Sequence, residues 1–105
     1  MPKRLTIAQV KKYKVEGFLS PIRVMEEDEA FALRREIEKF EKFQGKPING
    51  MQKTKVFLRF PWAYNLVTRN QVLDVIEDLI GPNILCYQHG TWFKEPESKS
   101  YVSWH

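Results

Sequence analysis

The reading of NILCYQHGTWFKEPESKSYVSWH (83–105) decides the fold. Residues that favour extended backbone crowd 83–96 and again 101–105, and Glu97-Ser98-Lys99-Ser100 between them has the composition of a turn. Alternate positions point to opposite faces of a strand. Here both sets are apolar: Ile84, Cys86 and Trp92 share one parity, Leu85, Tyr87 and Phe93 the other. A strand covered on both faces has this pattern. Gly90 in the middle marks a bulge or a close approach of another backbone. In the last five residues Tyr101, Ser103 and His105 share a face, with Val102 and Trp104 opposite. Two such strands need further strands beside them. The pattern therefore predicts the start of a sheet that these residues do not complete.

Upstream of residue 82 the period becomes helical. Thr6 and Gln9 have the spacing of a capping box, and Leu5 and Val10 stand where a hydrophobic staple would lie. Ile7, Val10, Tyr13 and Lys14 follow helical spacing, and Gly17 suits the left-handed residue that ends a helix. These signals predict a helix over 7–16. GFLSPIRV (17–24) reads as an extended segment, with Pro21 excluding a regular central strand. Glu26, Glu27, Asp28 and Glu29 suit the positive end of a helix dipole and open a longer helix. Ala30, Leu33, Ile37 and Phe40 line one face of it. Glu36, Glu38, Lys39, Glu41 and Lys42 fall mostly elsewhere, and Gly45 and Pro47 end it. KPINGMQKT (46–54) reads as a loop. Pro61 suits the first position of a short helix, with Trp62, Leu66 and Tyr64 facing inward. Asn70 is placed to cap a last helix whose stripe is Val72, Val75 or Ile76, and Leu79, stopped by Gly81-Pro82.

The expected organisation is one partial α+β domain over 1–105. Residues 1–81 form a helical layer and 82–105 the first core strands. The composition, 43% apolar and 29% charged over 105 residues, is that of a globular chain. A net charge of +4 is only mildly basic. A nucleic-acid surface would need Lys11, Lys12, Lys14, Arg34, Arg35 and Lys39 on one face, and solvated helix faces explain them more simply; no nucleic-acid partner is expected. The single cysteine, Cys86, excludes an intrachain disulfide and any multi-cysteine zinc site. In its apolar run it reads as a buried structural thiol. No signal-peptide pattern or membrane span is present, so the expectation is a cytoplasmic chain with no membrane partner.

Four segments, in order, carry a family resemblance: LTIAQVKKYKVEGFLSPIRV (5–24), LIGPNILCY (79–87), WFKEP (92–96) and YVSWH (101–105). The sequence resembles the N-terminal part of the phytanoyl-CoA dioxygenase family of Fe(II)- and 2-oxoglutarate-dependent oxygenases. The resemblance implies a double-stranded β-helix, the jelly-roll or cupin-like fold, of which this chain would hold only the first strands. It implies Fe(II) as cofactor, 2-oxoglutarate as cosubstrate and a small organic or acyl substrate. The family binds iron through His-x-Asp on one strand and a distant second histidine, leaving open positions on one face of the metal.

Carried onto this sequence, His105 would be the first iron ligand, with its aspartate, the distal histidine and a downstream arginine all beyond the residues present. Lys94 stands in a Lys-Glu-Pro segment where the family often has Lys-x-Pro near the cosubstrate. The resemblance implies a second-sphere or 2-oxoglutarate contact there; read alone, Lys94 is a solvated lysine at a strand end. His89 matches no family motif and reads as a hydrogen-bonded strand histidine, a His89/His105 metal pair being the remaining option. The chain alone is expected to be inactive. Whether the complete domain would hydroxylate or halogenate depends on the residue two places beyond His105. The alternative reading is a non-catalytic helical protein that binds a partner.

Overall fold

The computed structural model describes residues 1–104. Four α-helices form the body: α1 (Ile7–Glu16), α2 (Glu27–Gln44), α3 (Pro61–Thr68) and α4 (Asn70–Ile80). Two short 3-10 turns, Gly50–Lys53 and Val56–Leu58, lie between α2 and α3. Local chemistry sets these boundaries. At the start of α1 the Thr6 hydroxyl accepts from the Gln9 N–H at 3.1 Å, and the Gln9 side-chain oxygen accepts from the Thr6 N–H at 2.8 Å. Two donors that the first turn cannot satisfy are thereby paired. Helices α1 and α2 both end on glycines in the left-handed region, Gly17 at φ 80° and Gly45 at φ 73°. Pro61 opens α3 as expected, but the N-cap of α4 is Arg69, and Asn70 is the first helical residue.

The amino-terminal segment is latched to α4 by one carboxylate. Asp78 Oδ1 accepts from the backbone N–H of Lys3 at 2.7 Å, and Oδ2 accepts from those of Arg4 and Leu5, each at 2.8 Å. Loss of hydration pushes the Asp78 carboxyl up, but the N–H groups of Leu5, Lys3 and Arg4, with the Lys3 ammonium, outweigh it and hold the carboxyl below its ordinary value. Lys3 in turn donates to Glu77 at 2.7 Å. That hydrogen bond is the main reason its ammonium is held above the ordinary lysine value, with loss of hydration opposing. The latch puts Leu5, only 7% exposed, into the core and fixes the direction in which α1 leaves to pack on α4.

The buried apolar side chains among the described residues are Leu5, Ile48, Val56, Ala63 and Val75. They come from the latch, the loop after α2, the second 3-10 turn, α3 and α4, so the core lies where α3 meets that turn and α4. Helix α2 contributes no buried residue. It is tied on from outside, by an Arg69–Glu29 ion pair at 2.7 Å, by Glu41 accepting from the Ile48 N–H at 2.9 Å, and by the Phe40 ring edge-on to Phe60 at 4.9 Å. Ile48 and the Gly50–Lys53 turn give the expected loop at 46–54 a structural role.

The expected sheet is not there. Residues 82–104 form no strand among the described residues; the only β-type pairing is an isolated antiparallel bridge between Thr54 and Gly90. Around it the Thr91 N–H donates to Lys53 O at 2.9 Å and the Val56 N–H to His89 O at 3.2 Å. Gly90 does serve a close backbone approach: Lys53 O lies 3.6 Å from where a β-carbon would sit. The α+β, jelly-roll expectation is therefore corrected to a helical body carrying an extended tract. A strand requires a partner backbone along its length, and here the partner extends over little more than one residue pair.

Consequently most of the side chains expected inside the sheet lie in water, Ile84 alone being half-buried among those named. Leu85 is 84%, Tyr87 87% and Trp92 84% exposed, and Cys86, expected to be buried, is exposed as well. Tyr64 on α3 also points outward. The Cα radius of gyration is 16.5 Å, against roughly 13 Å for a compact chain of this length. The accessible surface is 8980 Å², against roughly 6,200 Å² for a compact protein of this mass.

Candidate functional site

Lys94 is the expected site residue within the described chain. The bridge at Gly90 delivers residues 93–95 to the side of α2, and the Lys53 ammonium lies 6.0 Å from the centre of the Phe93 ring. A groove of about 570 Å³ results, with Leu33 and Ile37 as its apolar floor. Its charged lining is Arg34 and Lys94 against Glu38, Glu41 and Glu95. Arg34 is already paired with Glu38 at 2.8 Å, and Glu41 accepts from the Ile48 backbone. With three carboxylates to two cations the lining carries an excess negative charge, which opposes a dianion such as 2-oxoglutarate. Lys94 itself is exposed.

His105, expected as the first iron ligand, lies outside the described residues, as does any His89/His105 pair. Among the described residues no group of three or more His, Cys, Asp or Glu side chains is close enough to hold a metal ion. By themselves the described residues do not fit an iron centre. His89 departs from its expected role in another way. Its ring stacks on Phe57 with centroids 6.1 Å apart, and Nδ1 is buried with no hydrogen-bond partner among the described residues. Its backbone carbonyl, not its imidazole, makes the useful contact, with the Val56 N–H.

A second groove, of about 330 Å³, lies between α2 and the α3–α4 junction. Arg69 is central to it, joined to Glu29 at 2.7 Å and to the Gln71 side chain at 3.3 Å, with Trp62, Asn65 and Leu66 around it. Arg69 thus fastens α2 to the core, and its guanidinium is engaged by these partners. Neither role is legible from local pattern, since Glu29, which Arg69 holds, and Lys3, Arg4 and Leu5, which Asp78 holds, lie 40 or more positions away. The only signal was the pairing of a long acidic run with an arginine at a helix boundary.

The lysines Lys11, Lys12 and Lys14 lie on α1, while Arg34, Arg35 and Lys39 lie on α2. No helix among the described residues is long and apolar enough to cross a membrane. Compared with known proteins, the chain matches no family model, no curated protein and no solved structure.

Proposed function

We propose that the chain is the helical N-terminal portion of an Fe(II)- and 2-oxoglutarate-dependent oxygenase of the phytanoyl-CoA dioxygenase kind, without catalytic activity by itself. The observation that supports this best is the tract at 84–104. Outside the turn at Pro96 and Glu97 and the bridge at Gly90 it has no regular secondary structure, it is rich in exposed apolar side chains, and it is held on the helical body at Gly90 and Thr91. Exposed apolar surface of this extent is the mark of a surface that further protein or a ligand covers. The order of the four resembling segments names the kind of protein that would supply the cover. In that enzyme the substrate is a small organic or acyl compound, and the compartment is the cytoplasm. The body's role is to carry the tract and to present Lys94 beside α2; no nucleic acid is involved.

The test has two parts. Incubated with Fe(II), 2-oxoglutarate and oxygen, the 105-residue chain should release no succinate above a protein-free control; iron-dependent succinate would contradict the reading. In the transcript, the codons after His105 should place an aspartate, or a small residue in a halogenase, two positions on. Any other residue, or a stop, would favour the second reading, a non-catalytic helical protein that binds a partner through the same tract. The lack of strands among the described residues is the observation on that side.

A further inference from the structure

The helical body carries a groove whose walls are mostly aromatic. Phe40 and Phe43 of α2 and Phe60 and Trp62 at the start of α3 line a space of about 290 Å³, with Glu36 and Lys39 on its α2 side. Phe60 and Trp62 are stacked, ring centres 5.7 Å apart and planes at 25°. The Phe40 ring stands at 79° to Phe60 with centres 4.9 Å apart. An edge-to-face pair leaves a corner bounded by a face of each ring, and aromatic faces carry the negative part of the ring quadrupole. The walls are fixed by the backbone. The Phe60 carbonyl accepts from the N–H groups of Ala63 and Tyr64 at 3.0 and 3.1 Å, and Pro61 opens the turn on which Trp62 stands. We infer that this groove binds a quaternary ammonium group, held against Phe40, Phe43, Phe60 and Trp62 with the Glu36 carboxylate balancing its charge.

The state of the rings, the free carboxylate and the donor chemistry of the lining select that ligand class. Among the described residues the cation–π contact is that of Lys53 with Phe93, and no lysine or arginine sits over these four rings. The Glu36 carboxylate is exposed and makes no hydrogen bond or ion pair among the described residues, not even with Lys39 three positions on. Glu36 is also the sole side-chain acceptor in the lining. A primary ammonium has three donors to satisfy and would give up water for a single acceptor. A quaternary ammonium has no N–H to satisfy and is attracted by each ring face it meets. The same chemistry keeps Lys39 out of the cup: a lysine covers apolar surface with its stem and holds its ammonium in water. The volume stands at the lower bound of ligand pockets, roughly 300 Å³, which suits a small headgroup.

The inference does not rest on the oxygenase reading, and its failure would leave that reading standing. Choline chloride is titrated into the isotope-labelled 105-residue chain at constant ionic strength, and the indole N–H resonances are followed by NMR, that of Trp62 assigned from Trp62→Phe. The Trp62 resonance should shift saturably with a millimolar midpoint, while those of Trp92 and Trp104, outside the groove, stay in place. Dimethylbutanol, which has the shape of choline with carbon in place of nitrogen, and ammonium chloride should each bind at least about fivefold more weakly. Phe43→Ala, at a position 87% exposed, and Glu36→Gln should each raise the choline midpoint about two- to fivefold, with far-UV circular dichroism unchanged. Lys39→Gln, which removes a like charge, should lower it. A Trp62 shift that is absent or does not saturate, an equal response to dimethylbutanol, or equal movement of all three indoles would overturn the inference. So would a midpoint indifferent to Phe43→Ala and Glu36→Gln, or one that Lys39→Gln raises.

Discussion

Residues 3–16 and residues 84–104 are both attached to the rest of the helical body and both are rich in apolar side chains, but only the first segment buries one of them. The first segment is held through its backbone: three consecutive N–H groups meet one Asp78 carboxylate, Leu5 is buried, and a capping box starts α1 at once. The second is held at one bridge around Gly90, and beyond it the aromatic side chains face solvent. Apolar composition is therefore not what fastens a segment. What separates the two is whether the backbone's own donors and acceptors find partners, since an extended chain without them gains little from side chains it cannot bury.

Substitutions that attack one region and spare the other can break this comparison. The largest effect is expected from Val75→Asp, which places an unpaired carboxylate in the core under α3 and α4. It should cost about 3 kcal/mol or more and abolish cooperative unfolding, read by thermal or urea melts. Next comes Asp78→Ala, which frees three backbone donors together. It should lower the melting temperature and increase amide exchange at Lys3, Arg4 and Leu5. The pH dependence carries a definite sign. The Asp78 carboxyl lies below its ordinary 3.8 when folded, so its contribution is complete above that value and is lost as pH falls through the folded value. The difference between wild type and Asp78→Ala should therefore shrink in acid below about pH 4. Lys3, held above 10.5, has the opposite sign: its contribution is complete below that value and fades as pH rises past it.

Thr6→Ala should remove about 1 kcal/mol by deleting one side of the capping box. Leu85→Ser, at the other end of the comparison, should change monomer stability by no more than about 0.5 kcal/mol, as expected of an exposed site. A loss above 2 kcal/mol on Leu85→Ser, measured in urea at concentrations where the chain is monomeric, would show that the tract is packed after all.

What could be read from the sequence follows the same division. The helices were legible because their signals are local: Thr6 with Gln9, Pro61 at a first turn, Gly17 and Gly45 at the ends, and the stripe through Val72, Val75 and Leu79. The tract from 83 onward was misread for the complementary reason. Alternation and β-forming residues describe what a strand looks like, but a strand exists only with a neighbour, and nothing local supplies one. Cys86 and His89 inherited that error, one expected inside a sheet and the other hydrogen-bonded within it. Gly90, read as a bulge or a close approach, makes the close approach, and half of that reading was available because a missing side chain is itself a local fact. Of the candidate site, Lys94 could be named from its motif, but not Arg34, Glu38 and Glu41 around it, which α2 supplies across the fold. Asp78 and Arg69, which organise the body, act over separations that no periodicity records.

The central claim, a latched helical body carrying an uncovered tract, is tested most directly by hydrogen exchange with mass spectrometry on the monomer, at a dilution fixed by sedimentation. Amides of residues 3–16 and of α4 should be protected together as one cooperative unit, while peptides covering 92–104 exchange at the rate of unstructured chain. Protection of 92–104 in the monomer comparable to that of α4 would mean that the tract is paired within the chain, and would contradict the account.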